Sequence, residues 1–206
     1  MGNYGVVVLD FETSGLLPDC GDRAIEVGAV LVEYNRIPDR FQSLMNPDMR
    51  VSSFIEQYTG ITNGMLKTAP SAADVMERFA AFIGRHHLVA HNASFDRRFL
   101  DAELERIALT RRQEFACSML ISRRLHPDAP GHSLQTLVQY KRLSTNGVFH
   151  RALADAEMTA HLWISMVEDL KKIHRLKVVP FELMQRLMKM SKGAVPDYLR
   201  RLAQEG

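Results

Sequence analysis

Two acidic residues, Asp10 and Glu12, stand two positions apart at the end of the apolar run 6–9. Alternate side chains of a β-strand point to the same face, so a strand through this run would present both carboxylates side by side. Neighbouring anions repel each other, and hard divalent ions such as Mg²⁺ and Mn²⁺ prefer carboxylate oxygen. The pair therefore predicts a metal site. Alternatively, both carboxylates cap the loop that follows.

A third carboxylate, Asp96, closes the stretch 91–96, which follows the short apolar run 88–90 and opens a helical pattern. An acidic residue in the first turn of a helix usually balances the helix dipole, and that alternative stays open for Asp96. The position just past a strand end favours a role in binding, because ligands in open α/β sheets collect there.

A histidine and a fourth carboxylate, His150 and Asp155, begin the long helical pattern near the end of the chain. Five residues of an ideal helix turn a side chain by about 140°, so both can reach one site only if His150 precedes the helix. Asp155 shares a helix face with Ala152, Ala156 and Thr159, and these small residues predict close approach to a sheet. A lone histidine is often structural, whereas one beside a carboxylate cluster is a candidate catalytic group.

Taken together, stretches 8–15, 89–96 and 150–156 resemble the three motifs of the DEDDh branch of 3′-to-5′ exonucleases, which includes the proofreading epsilon subunit of bacterial DNA polymerase III. A further likeness at 59–62, with Met65 and Pro70, extends the resemblance from about residue 5 to about residue 170. The sister branch carries Tyr where this chain has Arg151, so His150 selects the histidine branch. The departures at Phe11 and Ser14 affect no expected metal ligand.

The resemblance implies a ribonuclease-H-like fold and hydrolysis of phosphodiester bonds with two divalent cations, Mg or Mn, as cofactors. It assigns the metal ligands as Asp10, Glu12, Asp96 and Asp155, with His150 as general base. It places substrate contacts at Thr13, Ser14, Gly15, the Leu16–Leu17 region, Asn92 and Phe95. Phe95 is alternatively a core residue at the start of a helix.

The implied partner is the 3′ end of a single-stranded nucleic acid, and a DNA polymerase subunit is a further candidate. DNA proofreading or repair is the expected role. The motifs are shared with relatives that process RNA ends, so an RNA-end-processing exoribonuclease is the alternative, and acceptance of the 2′-hydroxyl distinguishes the two. A non-catalytic nucleic-acid-binding module is the alternative from another class, and retention of all five polar residues argues against it.

The elements that position these residues are predicted from hydrophobic periodicity and breakers. Three strands, at 6–9, 24–34 and 40–45, form an antiparallel meander, and short strands follow at 88–90 and 114–119. Helices are expected at 53–60, 72–83, 95–107, 133–143 and 153–170. Because each parallel crossover carries a helix across one face, the pattern predicts an α/β fold with a mixed sheet flanked by helices.

A chain of 206 residues with 46% apolar content suits one main domain, predicted over residues 1–172, with a basic helical extension over 173–206. Residues 170–206 hold nine Lys and Arg against three Asp and Glu. Such charge attracts nucleic acid or an acidic partner, or simply solvates a helix face. The apolar residues and methionines of this extension favour packing. The lone Cys20 and Cys117, without a secretion signal or membrane-spanning run, predict a cytoplasmic protein without membrane contact. The oligomeric state is left open.

Overall fold

The computed structural model describes residues 4–144 and 151–205 of the chain. Its five strands form one sheet in the order β3-β2-β1-β4-β5. The strands are β1 (Val6–Thr13), β2 (Ala24–Glu33), β3 (Arg36–Leu44), β4 (His87–Ala90) and β5 (Phe115–Cys117). β1, β2 and β3 pair antiparallel, whereas β1–β4 and β4–β5 pair parallel. The predicted meander and mixed α/β sheet are confirmed.

The helices of the described residues are α1 (Ser53–Thr59), α2 (Asn63–Thr68), α3 (Ala72–Ile83), α4 (Ser94–Arg106), α5 (Ser118–Leu125), α6 (Leu134–Tyr140), α7 (Ala152–Lys172), α8 (Phe181–Lys189) and α9 (Val195–Glu205). α2 and α5 were not expected from the sequence. The fifth strand was predicted over 114–119, but the helix that follows it begins already at Ser118. An apolar run of this length does not distinguish a strand from a buried helix segment.

β3 begins earlier than predicted, because a two-residue turn joins it to β2. Tyr34 and Asn35 both have positive φ, at 50° and 61°, which is the backbone of a tight hairpin turn. The polar start of β3, which includes Pro38, resembles a loop in sequence. It is accommodated because β3 is an edge strand, where a missing N–H need not break a ladder.

Alternation along β1 divides the core between the two faces of the sheet. Val6 and Val8 pack in one apolar cluster with residues of α5–α9, and Val7, Leu9 and Phe11 pack in another with residues of α3 and α4. Phe181 of α8 lies 6.1 Å from Trp163 of α7, ring centre to ring centre, so the terminal segment joins the first cluster. The predicted domain limit at residue 172 stays a prediction.

None of the helices found in 4–144 and 151–205 combines the length and hydropathy that crossing a bilayer requires. Cys20 is exposed and Cys117 is buried, and neither forms a disulfide.

Candidate active site

Three of the predicted carboxylates meet where β1 faces α7. Asp10 and Glu12 extend the face of β1 that carries Val6 and Val8, and Asp155 lies in the first turn of α7. One oxygen from each carboxylate lies within 4.8 Å of the other two. The strand period and the start of the helix thus bring together groups 143 residues or more apart in sequence.

Asp96 approaches the same strand from α4, on the opposite face of the sheet. Its side chain is buried, and its Oδ1 accepts a hydrogen bond of 3.2 Å from the Phe11 amide. That amide is available because the pairing of β1 with β4 ends at Val8 and Val89. The end of β1 therefore projects past its parallel neighbour, and Asp96 binds its open edge.

The pKa values of these carboxyls show that the site is short of positive charge. Burial first, then the neighbouring carboxylates, raise the pKa of Asp10 well above its usual value and that of Glu12 to about 8. Burial also raises the pKa of Asp96 to about 7. Clustered carboxylate oxygens suit a hard divalent cation, whose charge would offset both effects. The acidic cluster therefore fits the divalent metals predicted from sequence.

The start of α7 is fixed to β2 by a buried glutamate that the sequence interpretation missed. Glu26 is fully buried, and its carboxylate accepts hydrogen bonds from the Arg151 guanidinium and, at 3.1 Å, from the Ala152 amide. Arg151 has no capping side chain of its own, so Glu26 supplies the cap from another strand. A single carboxylate inside an apolar strand was the signal that could have identified it.

Gly28 permits the close approach of α7 to β2. A β-carbon at this position would lie 2.0 Å from the Leu153 nitrogen and 2.1 Å from the Ala152 carbonyl carbon, both of them backbone atoms. A glycine within a buried strand often marks such an approach, and this signal was also missed. The face of α7 that carries small residues therefore packs against Gly28 of β2, where the absence of a side chain leaves room for the helix.

A cavity of about 670 Å³ opens beside the carboxylates. The predicted substrate residues Thr13, Ser14, Gly15, Leu16 and Phe95 line it, together with the α1 segment residues Ser52, Phe54, Ile55, Tyr58 and Thr59, which were not predicted. The rings of Phe54 and Tyr58, four residues apart, stack with centres 5.9 Å apart. Aromatic residues at this spacing on a short helix were the available signal.

The loop after β1 is held in shape by local hydrogen bonds. Thr13 Oγ1 donates to the Gly15 carbonyl at 2.6 Å, and the Leu17 amide donates to the Asp22 carboxylate at 2.9 Å. A β-carbon on Gly15 would lie 2.3 Å from the Asp22 carboxylate. Leu16 is 70% exposed at the mouth of the cavity, so the loop presents an apolar side chain beside the acidic cluster.

Two predicted residues stand apart from this arrangement. Asn92 is exposed, adopts a positive φ of 68° in the turn before α4, and is not among the residues that line the cavity. Its substrate contact stays a prediction. His150 lies outside the described residues, so its predicted role as general base also stays a prediction.

Comparison with known proteins places this arrangement among exonucleases. The exonuclease family model RNase_T matches residues 7–163. The PolC-type DNA polymerase III of Caldanaerobacter subterraneus subsp. tengcongensis is 37% identical over 167 residues, 81% of this chain and 12% of that protein. The 3′-5′ exonuclease DinG of Bacillus subtilis is 31% identical over 201 residues, 96% of this chain and 20% of that protein. The chain thus spans a fifth or less of these relatives.

Solved structures agree with this placement. Exonuclease X, solved in complex with 5′ overhanging duplex DNA, has a TM-score of 0.70 and 28% identity over 89% of this chain and 99% of its own. The nuclease domain of 3′hExo, a DEDDh family member bound to rAMP, has a TM-score of 0.69 and 20% identity over 82% of this chain and 94% of its own, and shows the shared fold. The ribonuclease-H-like fold is confirmed, and the chain belongs to the exonuclease family.

Proposed function

We propose that this chain is a metal-dependent 3′-to-5′ exonuclease that removes nucleoside monophosphates from the ends of single-stranded DNA. The observation that supports it most is the convergence of Asp10, Glu12 and Asp155 within 4.8 Å, with Asp96 bound to the same strand. Four carboxylates would hold two divalent cations, Mg or Mn. When bound, such ions activate water and stabilise the leaving oxygen of a phosphodiester.

The protein's own groups would position the strand end. The exposed rings of Phe54 and Tyr58 offer stacking surfaces for an unpaired base, with Phe95 on the wall of the same cavity. Leu16 would pack on the terminal nucleotide, and the backbone of Thr13–Gly15 lies beside the carboxylates that would face the scissile phosphate. Asn92 is kept as a further candidate contact.

His150 is the proposed general base, because its imidazole can accept the proton of the attacking water near neutral pH. It directly precedes Arg151, whose guanidinium is bound to buried Glu26. The anchored residue gives the chain a fixed point next to the proposed base and four residues before Asp155. Asp155 itself is held by the first turn of α7.

DNA is the proposed substrate, because the PolC-type relatives are DNA polymerases by name and exonuclease X was solved with DNA. The same relatives support a proposed role in proofreading or repair, with a DNA polymerase as the proposed partner. Rates on 5′-labelled single strands of DNA and RNA of one sequence test the choice. Faster cleavage of RNA would contradict a role in proofreading.

The activity is tested by incubating a 5′-labelled DNA strand with the 206-residue chain and Mg²⁺ or Mn²⁺. A ladder of shortened strands is expected. Asp10→Asn and Asp155→Asn should abolish it, while Glu77→Gln, an exposed acidic position on α3, should not change it. Binding without shortening by the unsubstituted chain would support a non-catalytic module instead.

A further inference from the structure

A second depression, of about 340 Å³, lies between the start of α4, the segment that leads into β5, and α8. Four cationic side chains line it, namely Arg97, Arg111, Arg112 and Lys189, against the single carboxylate of Glu114. The depression with these residues is called the basic groove. Its charge is opposite in sign to that of the carboxylate cluster.

Three of these cations are available to a ligand. Arg97, Arg112 and Lys189 are exposed, and none of them forms an ion pair with a carboxylate of the described residues. Exposed cations without protein partners retain their full charge toward an approaching anion. Arg97 also lines a neighbouring depression that contains Asp19, Asp101 and Glu105. Arg112 and Lys189 are therefore the cations used to test the groove.

The fourth cation, Arg111, builds the groove rather than facing a ligand. Its guanidinium binds both oxygens of Asp101, donates to the Gln113 carbonyl at 2.6 Å and lies over the Phe115 ring. The Gln113 side chain donates in turn to the Gly84 carbonyl at 2.6 Å. These contacts fix the segment that presents Arg112 before any ligand binds.

The C-terminal extension completes the groove through α8. Gln185 donates to the Glu114 carboxylate and to the Phe115 carbonyl, and Leu187 is fully buried in the core. Lys189 follows in the last turn of the same helix. One basic residue of the extension, Lys189, thus lies at the groove beside β5.

The first turn of α4 contributes to both the groove and the candidate active site. Phe95 lines the cavity beside the carboxylates, Asp96 belongs to the acidic cluster, and Arg97 lines the groove. A strand whose 3′ end lies among carboxylates needs cations nearby to hold its remaining phosphates. We infer that the basic groove binds the phosphodiester backbone of the substrate strand upstream of its 3′ end.

Since its occupant is the substrate, the groove's role rests on the exonuclease function proposed above, and binding must be measured apart from cleavage. The probe is fluorescently labelled (dT)20, bound to the Asp10→Asn protein in Mg²⁺ and followed by anisotropy. Adding Arg112→Gln and Lys189→Gln should weaken binding roughly tenfold at low salt. The slope of log Kd against log salt concentration should decrease by about 1.4, because each lost contact to a phosphate of a single strand lowers it by about 0.7.

A matched pair, Arg36→Gln with Lys192→Gln, removes the same charge at exposed positions outside the groove and should leave the salt dependence nearly unchanged. In the otherwise unsubstituted chain, the groove variant should keep its rate on the p-nitrophenyl ester of thymidine 5′-monophosphate, which fills the active cavity alone. If the groove variant and the matched control variant bound (dT)20 equally well, the proposed role of the groove in binding the strand would be wrong. Failure of the unsubstituted chain to cleave either substrate would overturn the exonuclease function, and the binding data would still decide the groove.

Discussion

The carboxylate of Glu26 and the guanidinium of Arg151 form a two-point ion pair across 125 residues of sequence, with bonds of 2.8 and 3.2 Å. The two partners differ in burial, because the Glu26 side chain is 0% exposed and that of Arg151 is 38% exposed. The loss of one partner therefore has unequal consequences. An arginine left alone can turn to water, whereas the buried Glu26 carboxylate would keep its charge with only two neutral donors among the described residues, the Ala152 amide and the Gln42 side chain.

Arg151→Met should lower the free energy of unfolding by about 3 kcal/mol, and Glu26→Gln by about 1 kcal/mol. The double variant should be no less stable than Arg151→Met alone, because the glutamine leaves no buried charge. Urea denaturation of the unsubstituted chain, the two single variants and the double variant gives the four free energies of a double-mutant cycle. Additive losses would show that the pair is not coupled as its geometry requires.

Gly28→Ala should destabilise the protein by about 2 kcal/mol and reduce cleavage, because the new methyl group would displace the start of α7 and with it Asp155. Gly64→Ala is the matched control, since its β-carbon would meet nothing closer than 3.6 Å and α2 would gain helix propensity of about 1 kcal/mol. Thermal unfolding and the strand-shortening rate are measured for both. If Gly28→Ala retained full cleavage, the close approach of α7 to β2 would not be needed to position Asp155.

Without metal, the protein should lose stability as pH rises. The pKa of Glu12 is raised to about 8 and that of Asp96 to about 7, so the protonated carboxyls favour the folded state. This contribution is complete below the ordinary carboxyl pKa near 4 and is lost as pH rises through 7 to 8, with a fall of about 4 kcal/mol for each of the two carboxyls. Unfolding in EDTA from pH 5 to 8.5 measures it.

Mg²⁺ should restore stability more at pH 8 than at pH 5, because metal binding requires the ionised carboxylates. Glu12→Gln serves as the control, since it removes one of the titrating groups and should flatten the profile in EDTA. A metal-free protein that gains stability between pH 5 and 8.5 would contradict the buried, protonated state.

His91 should make the protein lose stability as pH falls, which is opposite to the effect of the buried carboxyls. Burial lowers its pKa to about 4, and its ring contacts Ser118 Oγ at 2.9 Å and the His132 carbonyl at 3.0 Å. A depressed folded pKa contributes stability above the ordinary value near 6.5, and this is lost as pH falls toward 4, by about 3 kcal/mol. The difference in unfolding free energy between the unsubstituted chain and His91→Asn should therefore shrink over this interval. A constant difference would show that His91 does not titrate there.

Phe54→Ala should raise KM for a DNA strand roughly tenfold, the effect of losing one stacking surface, with kcat little changed. The side chain is 68% exposed, so stability should hardly change. Tyr34→Asn removes another exposed aromatic residue, at a turn whose positive φ asparagine tolerates, and should leave KM unchanged. An unchanged KM in Phe54→Ala would show that Phe54 of α1 does not contact the DNA strand.

The sequence alone determined the order of the main strands and helices along the chain. It also determined which carboxylates lie on the same face of a strand. Alternation from Val6 to Glu12 predicted that Asp10 and Glu12 lie side by side, and the face of small residues around Asp155 predicted a helix pressed to a sheet. Both follow from the period of one element, which is a local property. The short polar start of β3 and the helix after Cys117 escaped prediction, because their local patterns fit more than one structure.

Tertiary structure alone decided which strand receives the start of α7 and what lines the cavity. Glu26 and Gly28 act through atoms of α7, and Phe54 reaches the cavity from α1, where the neighbouring Ile55 packs in a small apolar cluster with Ile25 of β2. Such contacts join residues far apart in the chain. The spacing of residues within one helix or strand does not determine which distant element will face a given side chain. The basic groove has the same origin, since Arg97, Arg112 and Lys189 meet only when α4, the segment before β5 and α8 are assembled.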